Sequence, residues 1–111
     1  MAPAEKQSGL VQGTLEMLIL KTLALEPMHA YGIGVRIEQI SRGVFKVNPS
    51  SLMLAFKRME RSGLIDSEWR ATENNRRGKF YRLTEQGRKQ LKAETREWER
   101  RTSAIARLLE A

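Results

Sequence analysis

The sequence predicts a small domain that is mainly α-helical, carries one small β-hairpin and ends in a long helix. Three segments before residue 62 place apolar residues at the three- and four-residue spacing of a buried helix face. Two short stretches between residues 64 and 83, rich in apolar and aromatic residues, flank a polar turn, as in a hairpin. Residues 84–111 contain no proline and repeat apolar residues every seven positions. A chain of 111 residues favours a single domain.

The first predicted helix covers residues 14–25. Thr14 is a suitable N-cap, and Pro27 prevents the helical pattern from continuing. Because the segment is apolar nearly all round, we expect this helix to be buried on several sides. Residues 1–8 are polar and lack the layout of a signal peptide, so we expect a disordered N-terminal tail there.

A second helix is predicted from about His29 to Ser41. Gly32 and Gly34 have low helix propensity, and their presence indicates a close approach to another helix. The chain then reaches Gly43, which is a helix stop signal, and residues 44–47 are predicted to form a very short strand. The inward stripe of the second helix is expected to consist of Ile33, Ile37 and Ile40.

The third helix, over residues 49–62, has the clearest start and stop signals. Asn48 is a good N-cap, Pro49 suits the first helical position, and Gly63 stands where the chain leaves a helix. Four apolar residues share one face at helical spacing and are expected in the core: Leu52, Ala55, Phe56 and Met59.

The hairpin is predicted over residues 64–83, with strands at 64–71 and 79–83. Thr84 then caps a helix that reaches the C-terminus. This helix would be about 40 Å long, more than a core of this size can cover, so we expect a second copy of the chain to pack against it. The residues expected in that dimer interface are Leu91, Trp98, Ile105, Leu108 and Leu109. Residues 9–83 would form one domain and residues 84–111 a dimerisation helix.

The net charge of +7 is concentrated in the middle of the chain. Residues 1–45 carry four basic and four acidic side chains, residues 46–89 eleven and five, and residues 90–111 five and four. A small domain with a pI of about 10.3 is typical of proteins that bind polyanions. An anionic partner is therefore expected to contact residues 46–89.

Composition argues against an enzyme, a metal site and a membrane protein. The chain has no Cys, one His (His29) and one Asp (Asp66), so no thiol nucleophile or zinc site with cysteine ligands is available. No cofactor or catalytic residue is predicted. The longest apolar stretch, residues 15–25, is interrupted by Glu16 and Lys21 and is too short to span a bilayer. A cytoplasmic location is expected.

The order helix, helix, short strand, helix, hairpin is that of a winged helix-turn-helix. An α-helix fits the major groove of DNA, and a basic hairpin tip can follow the phosphate backbone or the minor groove. The third helix would then be the reading helix and the hairpin the wing. The residues expected to contact double-stranded DNA are Ser50, Ser51, Met53, Leu54, Lys57, Arg58, Arg61, Asn75, Arg76, Arg77 and Lys79.

From about Gly9 to the C-terminus the chain resembles the PadR family of bacterial transcriptional regulators in its short form. The motifs that carry the resemblance are Gln12-Gly13-Thr14-Leu15, Leu18-Ile19-Leu20, Met28-His29-Ala30-Tyr31-Gly32, Ser51-Leu52, Arg58-Met59-Glu60, Gly63-Leu64-Ile65, Trp69, the run from Arg76 to Thr84, Gly87 and Trp98. The resemblance implies a homodimeric repressor that binds a palindromic operator. It also implies a possible small aromatic effector at Trp98, because paired tryptophans flank planar ligands in some family members.

The start of the reading helix departs from the family pattern. The family usually has Tyr where this chain has Met53, Pro where it has Leu54, and commonly His where it has Lys57. The apolar core positions are retained, so the fold is expected to be the same. Met53 and Leu54 can touch thymine methyl groups but offer no hydrogen bond to a base edge.

Other interpretations of these features remain open. A basic helix face can be merely solvated, and arginines at a hairpin can protect its edge from aggregation. Trp98 can be an ordinary interface or core residue. A winged helix can also serve as a protein–protein adaptor that binds no DNA, and Met53 and Leu54 are the only features that favour this alternative.

Overall fold

The computed structural model describes residues 3–71, 74 and 76–111, and of residues 3–13 only the backbone. It confirms a mainly helical fold with a small antiparallel sheet and a long last helix. The chain order is α1 (Pro3–Leu25), β1 (Met28–His29), α2 (Ala30–Ile40), α3 (Pro49–Arg61), β2 (Ile65–Ala71), β3 (Arg77–Leu83) and α4 (Glu85–Glu110).

The core lies between the first three helices and one face of the sheet. All four residues predicted for the inner face of α3 are buried. The ring of Phe56 stacks on that of Tyr81 in β3, with centroids 4.4 Å apart. Aromatic stacking of this kind stabilises a fold beyond the area it buries. Through this contact the reading helix rests directly on the hairpin.

The first helix begins much earlier than predicted. It starts at Pro3, not at Thr14, and therefore includes residues 3–8, for which we expected a disordered tail. Proline suits the first position of a helix, and the Ala-Glu-Lys-Gln stretch that follows it has high helix propensity. The predicted end before Pro27 is confirmed. From Thr14 onwards the helix is buried on several sides, as expected.

The predicted strand at residues 44–47 is wrong. The third strand is β1, which pairs antiparallel with β3 through Met28 opposite Tyr81 and His29 opposite Phe80, so that β3 lies in the centre of the sheet. Residues 44–47 form a loop, in which the backbone N–H of Phe45 donates to the Ser41 hydroxyl. Phe45 and Val47 pack on the core from this loop, whereas Val44 is exposed.

The second helix has the predicted extent and a shorter apolar stripe. Its N-cap is His29, whose Nδ1 accepts a hydrogen bond from the backbone N–H of Tyr31. Ile33 and Ile37 are buried as predicted, whereas Ile40 is 59% exposed. Gly34 marks the predicted close helix contact, because a Cβ there would lie 3.3 Å from the Leu52 side chain of α3.

The start of α4 is fixed against the turn that follows α3. The Thr84 hydroxyl accepts from the backbone N–H of Gly87 and is 2.7 Å from the carbonyl oxygen of Gly63 and 2.9 Å from that of Leu64. The backbone N–H of Thr84 also donates to the Leu64 carbonyl. Gly63 has φ +79°, the left-handed conformation that ends α3. The reading helix and the last helix are thus joined at one tight backbone contact.

Substitution of Gly87 tests the close backbone contact between α4 and the turn after α3. A Cβ at residue 87 would overlap the Leu64 carbonyl oxygen, so we expect Gly87→Ala to lower the free energy of unfolding by at least about 2 kcal/mol. Gly32→Ala is the matched control, because a Cβ there meets no atom within 4 Å. The control should be neutral or stabilising by up to about 1 kcal/mol. Urea unfolding measures both, and equal stabilities would contradict the proposed close contact.

Candidate nucleic-acid interface

The reading helix α3 begins with a complete N-terminal cap. The Asn48 side-chain oxygen accepts from the backbone N–H of Ser50 at 2.8 Å and of Ser51 at 3.4 Å. These two N–H groups are therefore already bonded, and what Ser50 and Ser51 present to solvent is their hydroxyl groups. A phosphate at this end of the helix would meet hydroxyl donors and the positive end of the helix dipole.

One face of α3 is exposed along its whole length. Ser50, Leu54, Lys57 and Arg61 follow one another at spacings of four, three and four residues, which places them in a single row. All four are exposed, and Met53 lies exposed beside the row. Among the described residues neither Lys57 nor Arg61 forms an ion pair. The row therefore carries two uncompensated positive charges.

Arg58 borders this row on the edge opposite Met53, where α3 packs against α1. Its guanidinium donates to the Glu16 carboxylate of α1, with the two N–H···O distances at 3.2 and 3.3 Å. Both side chains are about one third exposed, and the pair links the first and third helices. The sequence suggested that Arg58 contacts DNA together with Lys57 and Arg61. The structure instead pairs it with Glu16 in a helix–helix contact.

Glu60 connects the reading helix to both strands of the hairpin. Its carboxylate accepts from the Ser67 hydroxyl of β2 at 2.9 Å and from the Lys79 ammonium of β3 at 3.3 Å. Burial alone would lower the pKa of Lys79, but the neighbouring Tyr81 phenol and the Glu60 carboxylate outweigh it, so that this pKa is raised. Burial also raises the pKa of the Tyr81 phenol. Lys79 therefore lies within β3, two residues from its first residue Arg77, and is held against α3 and not at the tip of the wing.

The outer part of the wing combines arginine with an exposed tryptophan. Arg76 and Arg77 are exposed, and neither forms an ion pair with the described residues. The Arg77 guanidinium lies over the ring of Trp69, 5.5 Å from its centroid, and 58% of Trp69 is exposed. Asn75 lies outside the described residues.

Trp69 is a residue of this surface that sequence reasoning missed. Strand alternation places it on the same sheet face as Ser67, which bonds to the reading helix through Glu60. The available signal is the alternation of this stretch of sequence, which sets Ile65, Ser67 and Trp69 on one side of the strand. Trp69 therefore extends the face formed by the reading helix and the wing.

The remaining basic residues of the hairpin are neutralised on the opposite sheet face. Arg70 pairs with Glu68, and its guanidinium also lies 5.1 Å from the ring centroid of Phe80. Arg82 donates to Asp66 at 2.6 Å, and this hydrogen bond raises the pKa of Arg82. Together with Arg58 and Lys79, these residues are paired with carboxylates. Among the described residues of α3 and the hairpin, the unpaired positive charge is thus confined to Lys57, Arg61, Arg76 and Arg77.

The five residues predicted for the dimer interface on α4, here called the seam, divide into two groups. Leu91 is partly buried and packs against the core of its own chain. The others are exposed, with Trp98 at 46% and Ile105 at 53%, and Leu108 and Leu109 more so. The second half of α4 therefore presents an apolar surface that the described part of this chain does not cover.

The described residues contain no cluster of three or more His, Asp or Glu side chains able to hold a metal ion. None of the described helices combines the length and apolar character needed to cross a membrane.

Comparison with known proteins identifies the family. A profile described as "Transcriptional regulator PadR-like family" matches residues 19–93. The chain belongs to the PadR family of transcriptional regulators. The predicted absence of enzymatic activity agrees with this membership.

Solved structures of PadR-family and related regulators share this fold. A transcriptional regulator from Clostridium thermocellum is 28% identical, covering 90% of this chain and 94% of its own, with a TM-score of 0.81. A PadR family regulator from Eggerthella lenta is also 28% identical, covering 100% and 98%, with a TM-score of 0.75. Bacillus subtilis PadR in complex with operator DNA is 20% identical over 74% of this chain and 46% of its own, with a TM-score of 0.67, and is similar in fold alone.

The Glu60–Lys79 pair is expected to stabilise the wing of this PadR-family chain. A double-mutant cycle of Glu60→Gln and Lys79→Met should give a coupling of about 0.5–1 kcal/mol in urea unfolding, the upper range for partly exposed pairs. Because the pKa of Lys79 is raised by folding, this contribution is present at neutral pH and is lost as the pH rises through that pKa. The same cycle on the exposed helix pair Glu97 and Arg100 serves as the comparison and should show a smaller coupling. Equal couplings would mean that Glu60 does not anchor the wing.

Proposed function

We propose that this chain is a sequence-specific transcriptional regulator that binds double-stranded DNA as a homodimer. The observation that carries the proposal is the distribution of free positive charge. Lys57 and Arg61 on the reading helix and Arg76 and Arg77 on the wing are exposed and, among the described residues, form no ion pair. The four other basic side chains of α3 and the hairpin are paired with carboxylates.

The reading helix α3 is suited to the major groove. Its exposed row presents cations that can contact phosphates or guanine, while the hydroxyls of Ser50 and Ser51 can donate to a phosphate at the helix N-terminus. Leu54 lies within the row and Met53 beside it, so apolar contacts to thymine methyl groups are expected at the positions that they face. This composition favours an operator with A·T pairs under the first turns of the helix.

The wing would contact the DNA backbone or the minor groove. Arg76 and Arg77 supply the charge, and Trp69 supplies a flat apolar surface that holds the Arg77 guanidinium over its ring. A guanidinium ordered in this way loses less side-chain entropy when it binds a phosphate. The anchoring of the wing by Glu60 would keep these groups at a fixed distance from the reading helix.

Dimerisation would use the exposed apolar seam of α4. A second copy is the simplest partner, because two-fold symmetry brings the same seam residues of both chains together. A two-fold symmetric dimer presents two DNA-binding domains in opposite orientations. They would bind two inverted half-sites, so a palindromic operator follows from a dimer. Binding that covers a promoter represses it, and we propose a cytoplasmic repressor. Bacillus subtilis PadR, which has this fold, was solved in complex with operator DNA.

Trp98 is the proposed contact for a small aromatic effector. It is the largest aromatic side chain of the seam and is half-exposed in the single chain. Where two copies of α4 pack close to the dimer axis, their Trp98 rings would lie on either side of a planar ligand.

A protein–protein adaptor is the second candidate, favoured by the exposure of Met53 and Leu54. These two side chains form an apolar spot on the reading helix. The spot is small and is flanked by Lys57 and Arg61, which would remain unpaired against an apolar partner. Titration with DNA from the region upstream of its own gene distinguishes the two functions, since an adaptor would show no specific binding there.

Removing the wing arginines should weaken binding to every DNA sequence. We expect Arg76→Ala with Arg77→Ala to reduce the salt dependence of DNA binding by up to about two units in the slope of log K against log salt. Arg100→Ala with Arg101→Ala is the matched control, since it removes two arginines from α4. Fluorescence anisotropy across a salt series measures both slopes. An unchanged slope in the wing variant would remove the wing from the interface.

A charge on the seam should prevent dimerisation. We expect Ile105→Glu to shift the protein from dimer to monomer in analytical ultracentrifugation, because the carboxylate would be buried without a partner. Ser103→Glu places the same charge on the opposite side of α4 and should leave the dimer intact. A wild-type monomer at micromolar concentration, or a stable Ile105→Glu dimer, would contradict this interface.

A further inference from the structure

A groove of about 630 Å³ lies between α2 and the first turns of α3. This volume is in the range of sites that bind small molecules, about 300–1,000 Å³. The two helices meet at the bottom of the groove, where Gly34 lets α2 approach Leu52. Tyr31, 79% exposed, and Met53, 43% exposed, belong to opposite helices and line the opening.

The charge of the groove is negative although the protein is basic. Among its lining residues, all of which are described, the only carboxylate is that of Glu38, and no Lys or Arg is present. Glu38 is exposed and forms no ion pair with the described residues. His29, the N-cap of α2, also lines the groove, and its Nδ1 accepts a hydrogen bond from the backbone N–H of Tyr31.

We propose that this groove binds a small aromatic cation. The Tyr31 ring offers its negative face to a positive charge, and the Glu38 carboxylate offers the counter-charge. The thioether of Met53 and the side chain of Val35 provide an apolar surface for a flat ring, which methionine accommodates well. A carboxylate ligand would meet Glu38 and no cation, so an anionic aromatic compound does not fit the site.

The position of the groove connects it to the DNA-binding surface. Met53 lines the groove and also lies beside the exposed row of the reading helix. A ligand between Tyr31 and Met53 would occupy space that DNA needs, so the two would compete. This consequence rests on the proposed function, whereas binding of the cation does not.

Isothermal titration calorimetry of the full chain without DNA tests the site. The probe is (1-naphthylmethyl)trimethylammonium, and the control ligand is 1-naphthylacetate, which has the same ring system and the opposite charge. We expect the cation to bind at least about tenfold more tightly than the anion. Glu38→Gln should weaken binding of the cation about tenfold and Tyr31→Leu about fivefold. Glu99→Gln, an exposed change on α4, should leave it unaltered.

Three results would overturn the inference. The first is that the wild-type protein shows no heat of binding. The second is that wild type and Glu38→Gln bind the cation with equal affinity. The third is that Trp98→Leu abolishes binding while Glu38→Gln does not change it, which would place the ligand on α4 at Trp98. DNA affinity is measured separately by anisotropy. Failure to bind any DNA would contradict the proposed function and leave the calorimetric result unchanged.

Discussion

The contact between the turn after α3 and the start of α4 sets the geometry on which the rest of this molecule depends. Gly63 ends the reading helix in a left-handed conformation, and the next carbonyl, of Leu64, is bonded by the backbone N–H of Thr84. Gly87 leaves room for that carbonyl. The whole wing is thereby closed into a loop whose two ends touch. If two copies dimerise through α4, a fixed orientation of α3 relative to α4 also fixes the distance between the two reading helices.

The second constraint is electrostatic and works through pairing. Counting charges assigns most of the excess to residues 46–89 but does not say which charges are available. In the fold, Glu16 and Glu60 each take one of the basic residues that the sequence assigned to DNA. Partly exposed pairs of this kind add little stability, so their main effect is on position. The Glu16–Arg58 pair joins α1 to α3, and the Glu60–Lys79 pair joins the wing to α3. Lys57 and Arg61 of α3 form no ion pair with the described residues.

Features set by local chemistry were predictable from the sequence, and features set by distant partners were not. The caps Asn48 and Thr84 and the buried face of α3 depend on residues within one or two turns, and the structure confirms all of them. The strand β1 has two residues and exists only because β3 lies beside it, so no local pattern marks it. Arg58 and Lys79 look like DNA contacts until their carboxylate partners, 42 and 19 residues away in sequence, are placed.

Met53 belongs to both proposed binding surfaces, so binding of a ligand at one is thermodynamically linked to binding of DNA at the other. It lines the groove beside Tyr31 and Glu38 and also borders the row of the reading helix. If two ligands compete for one side chain, each lowers the affinity of the other by the same factor. A cation in the groove would therefore weaken DNA binding without moving the last helix. Regulation at this site would then be direct, because the ligand would occupy the reading helix itself, whereas an effector at Trp98 would have to act through the junction of Leu64, Thr84 and Gly87.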